Sequence, residues 1–256
     1  MYLVKSCFEE FNVFNQKKIK IGTLMEYRNT EDQIVDTREG TYHLEVKLVN
    51  AHLPHTVFNQ IFNPQQSIAS FAVDSIEING YSPIIKGWDF YKVIKGTVYF
   101  TNKNRFIFCI SLLDSPGSAE SIFKDYNSKW YFNEQTTRLV AYEMAVQIKK
   151  EVIKRQREGH SLFLEKFVEK NIEVRYQVQK IEYSKRHSYL TNEDIYQDPQ
   201  RLTNIMMGAR FIKPASFSHE KEVRFCFDVF EYGEILHPKD TSIIIDARSI
   251  LPLFRR

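Results

Sequence analysis

Residues 105–113 read RFIFCISLL. The run is almost unbroken in apolar residues, and that pattern fits a central strand covered on both faces. Strand signals surround it on both sides. Upstream lie Tyr2–Val4, Lys20–Met25, Phe71–Ile78, Phe90–Lys95 and Thr97–Phe100. Tyr42, Leu44, Val46 and Leu48 alternate with His43, Glu45 and Lys47, the period of a half-buried strand. Downstream the period changes. Ala141, Ala145, Ile148 and Val152 recur at helical spacing, and the helix runs out near Gly159. Phe163, Leu164, Phe167 and Val168 form a second apolar stripe. Ile172, Val174, Tyr176 and Val178 return to strand alternation. Asp198 followed by Pro199 marks a helix start, with Leu202, Ile205, Met206 and Ala209 as its buried stripe. The last strands are Glu222–Phe230 and Thr241–Asp246. The order is strands, helices, then strands again, which predicts an α+β fold and not a doubly wound parallel sheet. No repeat, linker or composition shift divides residues 1–256, so a single domain is expected.

The composition is that of a globular chain: 256 residues, 43% hydrophobic and 26% charged. Cys7, Cys109 and Cys226 have neither metal-ligand spacing nor a paired framework, so a reduced, cytoplasmic protein is expected, with Cys109 and Cys226 as small core residues. The start of the chain lacks the apolar core of a signal peptide, and no run is long enough to span a membrane. The net charge of +3 permits a nucleic-acid partner without requiring one. There is no GxGxxG and no GxxxxGK[ST], which argues against Rossmann and P-loop sites. There is also no HExxH or CxxC. The seven histidines are scattered, and the closest pair, His52 and His55, reads as loop residues; no metal site is expected.

Two segments are dense in groups that can do chemistry. Lys213–Asp228 reads KPASFSHEKEVRFCFD. From Glu220 on, alternation puts Val223, Phe225 and Phe227 on one face and Glu220, Glu222, Arg224 and Cys226 on the other. Two carboxylates and a guanidinium in a row are either a solvated face or the floor of a cleft, and spacing alone leaves both open. Ile21–Gly40, IGTLMEYRNTEDQIVDTREG, holds Tyr27, Arg28, Glu31, Asp32, Asp36 and Glu39, and reads as a polar loop between strands of the kind that binds ligands.

Taken together and in order, the opening YLVKSCF, the segment IKIGTLMEYRN with its following D and EG, and the late KP..F..E.E.RF resemble a bacterial family of uncharacterised domains related to ADP-ribosyltransferases and associated with toxins and anti-phage systems. The resemblance implies a split β-sheet core with helices inserted in the middle of the chain. It also implies NAD as substrate and no metal. On its terms Lys5 meets the adenosine ribose, although an Arg or His is usual there. Tyr27, with Arg28 beside it, supports the nicotinamide side. Ser111 stands in for the missing Ser-Thr-Ser triplet. Glu222 bonds the nicotinamide ribose, with Glu220 as accessory or rival and Arg224 beside them.

Breaking the nicotinamide–ribose bond builds an oxocarbenium-like cation, and a fixed carboxylate near the ribose stabilises that charge most in the transition state. The expected activity is therefore mono-ADP-ribosyl transfer to a macromolecule. RNA is favoured over protein as acceptor, because Lys150 and Arg155 lie on a basic helix tail. His219 is a further substrate contact, and an antitoxin protein is an expected partner. The alternative is a module of the same ancestry that binds a nucleotide or partner without cleaving NAD.

Overall fold

A computed structural model of the chain describes residues 1–29, 38–62, 69–85, 87–197, 204 and 208–256. In chain order the elements are β1 (Tyr2–Cys7), α1 (Val13–Gln16), β2 (Lys18–Thr23), α2 (Leu24–Asn29), β3 (Thr41–Pro54), α3 (His55–Phe62), β4 (Ala69–Ile85), β5 (Trp88–Asn102) and β6 (Phe106–Leu113). There follow β7 (Ser128–Asn133), α4 (Thr137–Arg157), β8 (Ile172–Lys180), β9 (Glu182–Tyr183), β10 (His187–Leu190), α5 (Asn192–Gln197), β11 (Ile212–Lys213), β12 (Glu222–Glu231), β13 (Glu234–Leu236) and β14 (Ser242–Asp246). The protein is mixed and strand-rich, with largely antiparallel sheets.

The chain divides into two compact units where the sequence suggested one domain. The first comprises Met1–Thr37, Asn104–Tyr183 and Ala215–Arg256; the second comprises Arg38–Lys103 and Ser184–Pro214.

In the first unit, β6 is the centre of an antiparallel sheet ordered β13-β12-β6-β1-β7. One edge of β6 pairs with β12 from Phe106 to Ser111. The other edge is shared. β1 takes Ser111–Leu113, and β2, which also pairs with β14, takes Phe106–Ile107. The sheet therefore forks along β6, with Phe108, Cys109 and Ile110 at the fork. β12 is paired on its far side with β8 along nearly its whole length.

One face of this sheet packs beneath α4, whose Val140, Ala141, Met144, Ala145, Ile148 and Val152 meet Phe106, Phe108, Ile110, Leu112, Val223, Phe225 and Phe227. The helical spacing read in the sequence is the reason α4 can bury that stripe. Phe163 and Phe167 join the same core, but their segment is not a helix. Phe163 makes an isolated bridge to Pro238, and Leu164 and Val168 are exposed. The expected second stripe was two buried aromatics in an irregular connection.

The second unit is built on a sheet ordered β10-β3-β5-β4, antiparallel except for the parallel β10–β3 pair. Leu44, Val46, Leu48, Ile94, Val98 and Phe100 form its core with Val57 and Ile195. The two strand runs expected within 90–100 are one strand. Gly96 lies inside it, where a Cβ would stand 2.6 Å from the Ser75 carbonyl oxygen across the β4 bulge. His52 belongs to β3 and His55 opens α3, so neither is the loop residue expected; His55 Nε2 lies 2.7 Å from the Asp89 carboxylate. The helix expected from Asp198–Pro199 through Met206 lies outside the described residues, apart from Asn204. Ala209 is buried.

Candidate active site

The strand that carries the acidic motif is buried on both faces. β12 starts at Glu222. Glu220 belongs to the 3-10 turn Ala215–Glu220, and Lys221 between them takes a left-handed φ of 48°. The alternation expected to run through Glu220 therefore begins two residues later. Glu222 is 4% exposed and Arg224 is 0% exposed, and Arg224 Nε donates to Glu222 Oε1 at 2.7 Å. Of the two readings of this row, the solvated face is wrong. A charged pair this deep is held in place by its own hydrogen bonds, since water reaches neither partner.

Register explains what meets this pair. Glu222 lies opposite Ser111, and Arg224 lies opposite Cys109. Ser111 Oγ donates to the Glu220 carbonyl at 2.7 Å, tying the turn to the centre of the sheet. The Glu222 backbone N–H donates to the Tyr183 phenol oxygen at 2.7 Å.

Tyr27 arrives from α2, not from a loop as expected. The local sequence accounts for the helix. Thr23 Oγ1 accepts from the Glu26 N–H at 3.4 Å, the first half of a capping box, and its hydroxyl donates to the Thr241 carbonyl at 2.9 Å. Gly22 makes the space. A Cβ there would lie 2.3 Å from Glu26 Oε2 and 2.9 Å from the Tyr27 ring. Burial, first, and the neighbouring Cys109 thiol and Glu222 carboxylate push the Tyr27 phenol well above its ordinary range, with Arg224 opposing them. The phenol is thus a proton donor held against Cys109, within the field of the Glu222–Arg224 pair. Glu31, Asp32 and Asp36 of the same segment lie outside the described residues.

Lys5 reaches the same point from another side. Leu3 lies opposite Leu112 under α4, so Lys5, two residues on, leaves β1 on the helix-facing side of the sheet and not on the Glu222 side. Its ammonium lies over the Phe108 ring, 5.3 Å from the centroid, and Nζ donates to the Cys109 carbonyl at 3.0 Å. That carbonyl is at the fork. Lys5, Tyr27, Ser111, Glu222 and Arg224 therefore converge around the Cys109 segment of β6. Glu220 is buried beside them at 4% exposure.

The remaining expected site residues lie elsewhere or are engaged. Arg28 follows Tyr27 on α2 and is partly buried. His219 is exposed on the 3-10 turn, its Nδ1 3.0 Å from the Ser216 carbonyl. Lys150 is exposed on α4. Arg155 is not a free cation, because it bonds Glu151 at 2.9 Å and faces Asp240 at 3.6 Å. A groove of about 610 Å³ in this unit is lined by Leu3, Leu112, Glu134, Arg138, Tyr176 and Val223, on the opposite side of β12 from Glu222. Sequence reasoning missed Cys109 and Tyr183 as members of the cluster. Cys109 had no signal beyond its apolar run, and Tyr183 none, since both depend on strand register. The capping signature Thr23-Leu-Met-Glu26 was present in the sequence and would have placed Tyr27 on a helix.

Among the described residues no helix is long and apolar enough to cross a membrane. Comparison of the chain with protein-family models, with curated proteins and with solved structures finds no match in any of the three.

Proposed function

We propose that the chain cleaves the nicotinamide–ribose bond of NAD and transfers ADP-ribose to a macromolecule, with Glu222 as its catalytic carboxylate. The observation that carries this reading is the convergence of Tyr27, Ser111, Glu222 and Arg224, from three separate elements, on the segment of β6 where the sheet forks and where the Lys5 ammonium also ends. Arg224 fixes the orientation of the Glu222 carboxylate. In that position the carboxylate opposes positive charge developing on the ribose, and a preoriented group of this kind acts without reorganisation at the moment of reaction. Tyr27 donates a hydrogen bond or stacks, and the buried Glu220 supports the turn that leads into β12.

RNA is the acceptor in this reading. A groove of about 550 Å³ in the same unit is lined by Lys17, Lys18, Lys154, Arg155 and Arg248 against Glu151 and Asp246, a surplus of cations suited to a phosphate backbone. Such an enzyme acts in the cytoplasm as a toxin or anti-phage effector, restrained by an antitoxin. The departure of Lys5 from the helix-facing side favours a second reading, a nucleotide- or partner-binding module that leaves NAD intact.

Incubation with NAD labelled in the adenylate, together with total cell RNA or lysate, separates the two. Label transferred by wild type and lost in Glu222→Ala supports the enzyme. Transfer to protein alone would replace RNA as the acceptor. Loss in Glu220→Ala with full transfer by Glu222→Ala would move the catalytic role to Glu220. A folded wild type that consumes no NAD supports the module.

A further inference from the structure

In the second unit, alternation along β3 sends Tyr42, Leu44, Val46 and Leu48 into the core and leaves His43, Glu45 and Lys47 on the opposite face. The parallel β10 brings His187 level with His43 and Tyr189 level with Glu45. Two imidazoles and a carboxylate thus share one patch of sheet. The His187 Nε2 and Glu45 Oε1 atoms are 3.0 Å apart. One ligand-capable atom from each of His43, Glu45 and His187 lies within 4.8 Å of the other two.

The surroundings hold the rings in place. His43 is stacked between Tyr99 at 4.6 Å and His187 at 4.6 Å, and Tyr189 tilts against His187 at 4.8 Å. The Nε2 of His43 is shielded from solvent and has no hydrogen-bond partner among the described residues. A buried imidazole nitrogen without a partner is unusual, and coordination to a cation supplies that partner.

We propose that His43, Glu45 and His187 bind a divalent transition-metal ion, Zn2+ in the first instance. Two imidazole nitrogens and one carboxylate oxygen form a donor set suited to zinc, and such three-ligand sites keep a fourth position for water or substrate. Tetrahedral coordination at about 2.0–2.1 Å sets neighbouring donors roughly 3.3 Å apart. The Glu45–His187 distance is already close to that spacing, and the remaining donor pairs lie within 4.8 Å. Glu45 also lines a groove of about 630 Å³ together with Tyr189, Thr97 and Lys95.

The test is titration of chelator-treated full-length protein with Zn2+, read by calorimetry, with Co2+ as an optical probe. The expected result is one saturable Zn2+ per chain, a visible Co2+ band of tetrahedral intensity, and binding weakened at least tenfold in His43→Ala, His187→Ala and Glu45→Gln. Glu45 is 42% exposed on its side chain, so Glu45→Gln probes the site with little risk to the fold. His55→Ala, which disturbs the separate His55–Asp89 pair, keeps wild-type affinity. Absence of saturable binding, binding unchanged in both Glu45→Gln and His187→Ala, or binding lost only in His55→Ala would overturn the assignment.

Discussion

Replacement of Glu222 by Ala removes a carboxylate bonded at 2.7 Å to a guanidinium that is 0% exposed. Arg224 is fully buried on a strand paired on both edges, by β6 and β8. Truncating one partner of a buried ion pair costs about 3–5 kcal/mol. For a chain of this size, each kcal/mol moves the melting temperature by roughly 2–4 °C, so a fall of about 6–20 °C is expected. Trp130 sits in the core of the same unit, and Trp88 is the only other tryptophan. Urea unfolding followed by fluorescence in a Trp88→Phe background therefore reports on the right unit. The double variant Glu222→Ala/Arg224→Met removes both charges and should regain most of the loss, since apolar replacement of a buried pair is often close to neutral. A loss below about 0.5 kcal/mol for Glu222→Ala, or a double variant no more stable than the single one, would refute the burial argument.

Gly22→Ala drives a Cβ against the Glu26 carboxylate and the Tyr27 ring, so it should cost about 1–3 kcal/mol and shift the environment of Tyr27, readable as a lower urea midpoint. Tyr232, 77% exposed at the β12–β13 hairpin with a left-handed φ of 50°, should be improved by Tyr232→Asn, raising stability by roughly 0.5–1 kcal/mol in the same assay. The Arg248 guanidinium holds the Asp246 carboxyl at about 2, below its ordinary 3.8. The folded state therefore binds that proton less readily than the unfolded chain does. The contribution is complete above about pH 4 and disappears as pH falls through about 2. Asp246 is 42% exposed on its side chain, so the effect is modest and salt reduces it; Asp246→Asn and wild type should differ in stability at neutral pH and converge near pH 2 in acid titration.

Periodicity made most of the scaffold legible. RFIFCISLL became the shared central strand because a strand paired and covered on all sides has no polar face to reveal. The Ala141–Val152 stripe became α4 because a half-apolar helix has one way to bury it. Phe163 and Phe167 failed the same test, since aromatics four residues apart also occur where a connection crosses a core. Glu222, Arg224 and Cys226 share a face of β12 as read, but Glu220 lies in the preceding turn, and the burial of the Glu222–Arg224 pair was not legible because it depends on strand pairing with β6 and β8. Cys109, Tyr183 and the His43–Glu45–His187 patch depend on pairing between distant segments. Glu45 and His187 are 142 residues apart, and no local pattern encodes a parallel register. Where the Lys5 ammonium ends was not legible, because its contact with the Cys109 carbonyl depends on how β1 pairs with β6, 104 residues away.

Release of free nicotinamide from NAD, followed by chromatography in the presence of total RNA, tests the role of Glu222 most directly. Wild type should release it well above the spontaneous rate. Glu222→Gln, which preserves side-chain volume and a hydrogen bond to Arg224, should be slower by about a hundredfold or more. Nicotinamide release by folded Glu222→Gln at the wild-type rate, or none from wild type at all, contradicts the account.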